Sequence, residues 1–319
     1  MEPTVVVIAM GEMGAGIAKR LTSRGVSVRT SLRGRGEGSA RRAREAGVQT
    51  FEDDVVLLAG ADFVLSVVPP AAARSLAERL APALQAAARK PVYVDCNAVS
   101  PATVAEVAAV LAPSGCSFAD CGILGLAPKG EDPGPRIYLS GPAAHEVAAL
   151  TSYGLDMRVL DGEIGRASAL KCSYAALGKG VTAIGAEMIL GAQRAGVDEA
   201  LRRELAANQP QLWAWLSRQL PDIYPKAYRW VAEMEEIAVF LGNTPGGEMI
   251  FRGIAELYDR FAEAARQRGG EGNEIDALED FRAALNLKIE SQKAPQGRRI
   301  SFDTKKTVSM RFECRPDIR

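Results

Sequence analysis

The first half of the chain alternates short, β-branched apolar runs with stretches of helical period. Thr4–Ala9 (TVVVIA) reads as a strand buried on both faces, and a glycine-bearing turn and a helical stretch to Arg24 follow it. Val26–Thr30 reads as a second strand, and Phe63–Val68 as another, stopped by Pro69-Pro70. Pro91–Asp95, Cys116–Asp120 and Arg136–Ser140 continue the series, with Ala71–Ala88 and Pro101–Leu111 as helices between them. This alternation predicts an α/β fold, a doubly wound and mostly parallel sheet.

Near residue 163 the pattern changes. Ile164–Gly196 is rich in alanine and glycine and free of proline, long enough for one helix of about 45 Å. Gln209–Leu220, Lys226–Leu241, Pro245–Gln267 and Asn273–Ile289 also read as helices, without strand signals. The expected organisation is a nucleotide-binding sheet domain over 1–162, an all-helical substrate and dimerisation domain over 163–290, and a mobile tail over 291–319. The tail carries eight lysines or arginines with little periodicity; a nucleic-acid arm is the sharper alternative. The apolar long helix is hard to cover with the rest of one chain, so a homodimer through the C-terminal helices is expected.

Composition narrows the function. The 319 residues carry 39 basic and 39 acidic side chains, a balance without a field for nucleic acid or an anionic membrane. No apolar run approaches the ~18–20 residues of a spanning helix, and Glu2 stands where a signal peptide would carry bases. The five cysteines (Cys96, Cys116, Cys121, Cys172, Cys314) are odd in number and contain no CxxC, which fits reduced thiols in a cytoplasmic protein better than a disulfide framework or a zinc site. No metal is expected. The single histidine, His145, sits at an expected helix start, so acid–base chemistry falls to Lys, Tyr, Cys or a carboxylate.

Three segments carry candidate chemistry. In Ala9-Met10-Gly11-Glu12-Met13-Gly14, Gly11 takes the second and Gly14 the third glycine position of the dinucleotide fingerprint, with Ala9 at the first. Gly11 lets a pyrophosphate approach the backbone, Gly14 allows close helix–strand packing, and the helix N-terminus offers free N–H groups. The second strand runs into Thr30-Ser31-Leu32-Arg33-Gly34-Arg35, with no acid where NAD binders place one. A carboxylate would repel a 2′-phosphate and arginine pairs with it, so NADP(H) is favoured over NAD(H), with Arg33 first and Ser31 and Arg35 beside it. The alternative is that these arginines are merely solvated.

The third segment, Gly165-Arg166-Ala167-Ser168-Ala169-Leu170-Lys171, opens the long helix with a lysine in its early turns. Ser168 and Ala175 share the face of Lys171, Tyr174 lies three residues on, and Lys179 is on nearly the same side two turns later. A solvated side chain is the plain reading for any one lysine; the placement at the domain junction raises Lys171 above it.

These segments, together with Val67-Val68-Pro69-Pro70 and VDCNAVSP at 94–101, resemble the β-hydroxyacid dehydrogenase superfamily, which includes 6-phosphogluconate and 3-hydroxyisobutyrate dehydrogenases. The second half, with Tyr228-Arg229-Trp230-Val231-Ala232-Glu233-Met234-Glu235-Glu236, is more similar to a poorly characterised branch with its own helical C-terminal domain. The resemblance implies a Rossmann-type first domain, with Met10, Gly11, Glu12, Met13, Gly14, Ser31, Arg33, Val67, Val68, Pro69 and Asn97 at the cofactor. It implies that Lys171 takes the hydroxyl proton as hydride leaves the same carbon. Asn97 and Ser100 match the loop beside nicotinamide and substrate, and the loop 120–125 matches the one that binds the substrate carboxylate. Two departures stand out: Ile123-Leu124-Gly125 replaces a serine–glycine–glycine sequence, and Ala175 replaces an asparagine. Both suggest a less polar or differently shaped substrate, with Tyr174, Lys179 and Arg229 filling the space. An imine reductase or reductive aminase on the same scaffold, which usually lacks the lysine, and a non-catalytic NADP-binding protein are the alternatives.

Overall fold

The computed structural model describes residues 2–130, 132–269 and 272–292. Among them, one eight-stranded sheet runs in the order β3-β2-β1-β4-β5-β6-β7-β8. The strands are β1 (Thr4–Ile8), β2 (Ser27–Thr30), β3 (Gln49–Thr50), β4 (Phe63–Ser66), β5 (Val92–Asp95), β6 (Phe118–Leu124), β7 (Arg136–Ser140) and β8 (Asp156–Val159). Their helices are α1 (Glu12–Thr22), α2 (Glu37–Glu45), α3 (Asp54–Leu58), α4 (Ala73–Ala86), α5 (Pro101–Leu111) and α6 (Ala144–Val147). All neighbouring strands pair in parallel except β6 with β7.

β1 shows why the apolar runs are continuous. Val5 and Val7 enter a core with Ile17 and Leu21 of α1, while Val6 and Ile8 enter a second core with Leu76 and Leu80 of α4. A strand covered on both faces needs no polar alternation. Four elements of this half escaped the sequence reading, β3, β8, α2 and α3, while α6 starts beside His145 as expected. The four are short or polar; α2 buries only Ala43. α3 is set instead by its cap, Asp53, whose carboxylate accepts the Val55 and Val56 N–H groups at 2.8 and 2.9 Å.

After β8 come α7 (Arg166–Arg194), α8 (Asp198–Asn208), α9 (Pro210–Gln219), α10 (Ile223–Phe240), α11 (Pro245–Arg266) and α12 (Glu274–Gln292). The turn between β8 and α7 contains the 162/163 junction, yet sheet and helices cluster as one compact unit, Met1–Phe281. Arg282–Arg319 form a second unit, described only as helix through 292; the expected mobile tail lies outside the described residues from 293 on. α8, also missed, buries nothing and so shows no apolar stripe. α7 packs against β6, α10 and α11. Its most apolar 18-residue window reaches a mean hydropathy of 1.2. Among the described residues, α7 is therefore the one helix long and apolar enough, by length and composition, to cross a membrane. Run-by-run reading misses it, because alanine supplies much of the apolarity and Lys171, Lys179 and Glu187 interrupt it.

Candidate active site

The glycine turn lies at the carboxyl end of β1, where the sheet order reverses between β1 and β4. Gly11 caps α1 with no side chain on the first N–H groups, and a Cβ there would meet open space. Gly14 is different: a Cβ would collide with the Ala9 carbonyl oxygen, the close helix–strand approach expected of it. Met10 is buried, and its carbonyl accepts the Arg42 Nε–H from α2 at 2.7 Å, a brace the sequence did not reveal. Met13 is half-buried against the α1 core and Glu12 is exposed.

At the end of β2, Thr30 is buried and its hydroxyl donates to the Val7 carbonyl at 2.7 Å. Ser31 is buried too, its Oγ accepting the Arg33 N–H at 3.3 Å, so it shapes the turn that presents Arg33. The Arg33 side chain is 66% exposed and lies 3.8 Å from Asp54, which also pairs with Arg79 at 3.2 Å. A cavity of about 300 Å³ lies beside Arg33, Asp54 and Arg79. Open N–H groups at α1, no acid at the end of β2 and an exposed arginine beyond it, loosely paired with Asp54, fit a dinucleotide.

Asn97 fixes the next loop. Its Oδ1 accepts the Val68 N–H at 2.7 Å and its Nδ2 donates to Ser66 Oγ at 2.9 Å. The side chain is 2% exposed, so Asn97 positions Val67, Val68 and Pro69 by internal bonds. Val67 is half-buried, Val68 buried and Pro69 exposed at this edge. Ser100 is likewise buried as the cap of α5, accepting the Thr103 N–H at 3.2 Å.

The long helix is seated by Asp120. Its Oδ1 accepts Ser168 Oγ at 2.6 Å, and its Oδ2 accepts the Gly165 and Ser168 N–H groups at 2.9 and 3.0 Å. Ser140 adds a second cap, its Oγ donating to Asp120 and accepting the Ala167 N–H, both at 3.0 Å. A carboxylate at a helix N-terminus meets open N–H groups and the positive end of the dipole. Gly122 lets α7 approach β6: a Cβ there would stand 2.5 Å from the Ala167 carbonyl oxygen and 3.3 Å from Lys171 Cβ. Lys171 is thus held over the carboxyl end of the sheet. It is half-buried and makes no ion pair or hydrogen bond among the described residues.

α10 supplies the facing wall. Glu236 accepts the Ser100 N–H at 2.7 Å and the Thr103 hydroxyl at 2.8 Å, tying α10 to the start of α5. Lys179 pairs with Glu233, and its ammonium lies 5.3 Å from the Trp230 ring centre. Burial pushes Lys179 below the ordinary lysine range; Lys171 and Arg229 push the same way against Glu233. Burial raises the Cys172 thiol to about 12, Glu236 adding to the shift and Lys171 opposing it. Asp95 is fully buried and raised to about 7, first by burial and then by Asp120 and Glu236, against the Asn97 N–H. Its Oδ2 has no hydrogen-bond partner.

Two expectations are corrected. Residues 120–125 are not a loop: β6 runs through Leu124, with Ile123 paired opposite Ile137 of β7. Strand alternation sends Ile123 into the α1-side core, away from Lys171, and leaves Gly122 and Leu124 on the α7 side. Gly125 ends the strand at φ +129°, against Pro135. Tyr174 is 55% exposed in line with Leu177, Val181, Ile184 and Met188, so it joins a surface stripe and not the wall beside Lys171. Lys179 does share the neighbourhood of Lys171, and Arg229 lies close enough to act on it. His145 stays on the surface, 3.9 Å from Asp161. Among the described residues the cysteines are free and no cluster could hold a metal. Sequence reasoning missed Arg42, Asp95, Asp120, Glu233 and Glu236 as structural partners, because each acts on a residue distant in the chain.

Comparison with known proteins agrees with the fold. Residues 4–151 match the NAD binding domain of 6-phosphogluconate dehydrogenase, and residues 192–261 match a domain of unknown function (DUF1932). An uncharacterized 28.5 kDa protein of Methanothermus fervidus is 28% identical over 195 residues, 61% of this chain and 73% of that protein. The conserved protein MTH1747, described as structurally similar to 3-hydroxyacid dehydrogenases, aligns at a TM-score of 0.60 and 29% identity over 85% of this chain and all (100%) of that one. The 3-hydroxyisobutyrate dehydrogenase of Mycobacterium tuberculosis shares the fold at a TM-score of 0.64 and 18% identity, over 90% of this chain and 99% of that one. The first half of the chain therefore matches the NAD binding domain of 6-phosphogluconate dehydrogenase, and a segment matching DUF1932 follows it, on a fold similar to that of MTH1747.

Proposed function

We propose that this NAD(P)-dependent dehydrogenase or reductase uses NADP(H) and acts on a CH–OH or carbonyl carbon of a small, hydroxy-acid-like substrate, with Lys171 as general acid and base. The observation that carries the reading is the unpartnered Lys171 amine, held over Gly122 at the edge of the sheet where the glycine turn also opens. The bound nicotinamide supplies or receives the hydride. Lys171 takes the hydroxyl proton in oxidation and returns it in reduction. Arg33, presented by the Ser31 turn, takes the 2′-phosphate. Asn97 holds the Val67–Pro69 segment against the cofactor, and Ser100 fixes the start of α5 beside the substrate. Lys179, neutralised by Glu233, occupies the polar wall that Ala175 leaves vacant.

Residues 1–162 then form the cofactor domain and 163–290 the substrate and dimerisation domain. The exposed stripe Tyr174, Leu177, Val181, Ile184 and Met188 has the three-and-four spacing of a helix–helix seam, which supports a homodimer through α7. The reading places the protein in the cytoplasm.

The test is a panel of 3-hydroxy acids, the matching aldehydes and cyclic imines, assayed with NADP(H) for the wild type and K171M. The expected result is turnover on a hydroxy acid or carbonyl that falls by orders of magnitude in K171M, with NADPH affinity kept. Unchanged turnover in K171M overturns the acid–base role, and turnover confined to imines overturns the substrate class.

A further inference from the structure

The helical domain stands close to the cofactor turn at one point. Arg229 on α10 reaches to 4.0 Å from the carboxylate of Glu12, the first residue of α1. The contact is loose and exposed, with the two side chains 46% and 78% accessible. It is nevertheless placed by structure that is neither loose nor exposed. α10 packs against Pro70–Ala72, directly after the Val67–Pro69 segment, and is tied by Glu236 to the start of α5. Arg229 also lies within electrostatic range of the buried Lys179 ammonium, two helical turns beyond Lys171. One guanidinium therefore stands between the N-terminus of α1 and the Lys171 neighbourhood.

Glu12 is a poor neighbour for a phosphate group, and its carboxylate is the anion Arg229 meets here. A pyrophosphate at the α1 N-terminus carries two negative charges and more acceptor oxygens than a single carboxylate. It would compete for the same guanidinium, which offers donors in a fixed fork. We infer that Arg229 is a cofactor-binding residue supplied by the helical domain, closing over the dinucleotide pyrophosphate and leaving Glu12 when the cofactor enters. This rests on the reading of the β1–α1 turn as the cofactor site. It gives the helical domain a part in cofactor retention and makes α10 a reporter of cofactor occupancy.

The experiment is fluorescence titration of NADPH and calorimetric titration of 2′-AMP, which lacks the pyrophosphate, into wild type, R229Q, R229K and E12Q. R229Q should weaken NADPH about tenfold, leave 2′-AMP within twofold and flatten the salt dependence of NADPH binding; R229K should recover part of the loss. E12Q should tighten NADPH. Arg229 is exposed, so an unchanged melting temperature in R229Q is the check on folding. Equal NADPH affinity in wild type and R229Q, or equal loss for NADPH and 2′-AMP, overturns the inference and leaves the cofactor site standing. A wild type that does not bind NADPH overturns both.

Discussion

Asp120 and Ser168, 48 positions apart in the chain, meet at 2.6 Å through Oδ1 and Oγ. The same carboxylate also takes two backbone N–H groups of the α7 start, so β6 and α7 share one buried anchor. D120A should lose about 3 kcal/mol of stability or more, since it leaves buried donors unmet. Equilibrium urea unfolding measures this. S168A, which removes one bond and keeps the backbone caps, should lose about 1 kcal/mol. Equal losses in the two variants would show that the carboxylate is not the anchor.

Gly122 makes the same point through space. G122A puts a methyl where the Ala167 carbonyl oxygen stands 2.5 Å away. α7 must shift, and Lys171 with it. Turnover should fall at least tenfold while NADPH affinity, set at the β1–α1 turn three strands away, changes less than twofold. Paired kinetic and binding titrations separate the two.

The proposed preference for NADP(H) rests on Arg33. R33A should weaken NADPH by about tenfold or more, the scale of a charge-assisted hydrogen bond pair, and leave NADH nearly unchanged. D54N, which frees Arg33 from its 3.8 Å neighbour, should tighten NADPH. A wild type that binds NADH more tightly than NADPH would reject the assignment.

Asp95 gives the fold a pH dependence of defined sign. Its carboxyl titrates near 7 in the folded chain against an ordinary 3.8, so the folded state holds a proton that the unfolded state releases. The stabilisation is complete below about pH 4 and is lost as pH rises through about 7, a span on the order of 4 kcal/mol for this one group. D95N should flatten that part of the stability profile, and denaturant midpoints from pH 4 to 8 measure it. A profile identical to the wild type would mean Asp95 is not the titrating group.

The dimer is tested on the α7 stripe. L177R and I184R place charges on the exposed apolar line and should convert a dimer into a monomer in light scattering at micromolar concentration. A wild type already monomeric there would refute the dimer.

By itself, the sequence determined those features whose cause is local. β1, β4 and β5 were legible because strands buried on both faces are continuous apolar runs between turn residues, and Gly14 because its packing role lies within one β-turn-α unit. The long α7 was legible from an alanine- and glycine-rich run without proline, and with it the position of Lys171 in the early turns. Only the tertiary structure decided what depends on partners far along the chain. Residues 120–124 became strand because β7 folds back in antiparallel pairing, which buried Ile123. Asn97 and Ser100, read as ligand contacts, turned out to spend their polar atoms on Val68, Ser66 and Thr103. Asp120, Glu233 and Glu236 acquired roles only when α7 and α10 met the sheet edge. Periodicity reports which side of a segment is dry; it does not report which buried polar group another segment will bring to meet it.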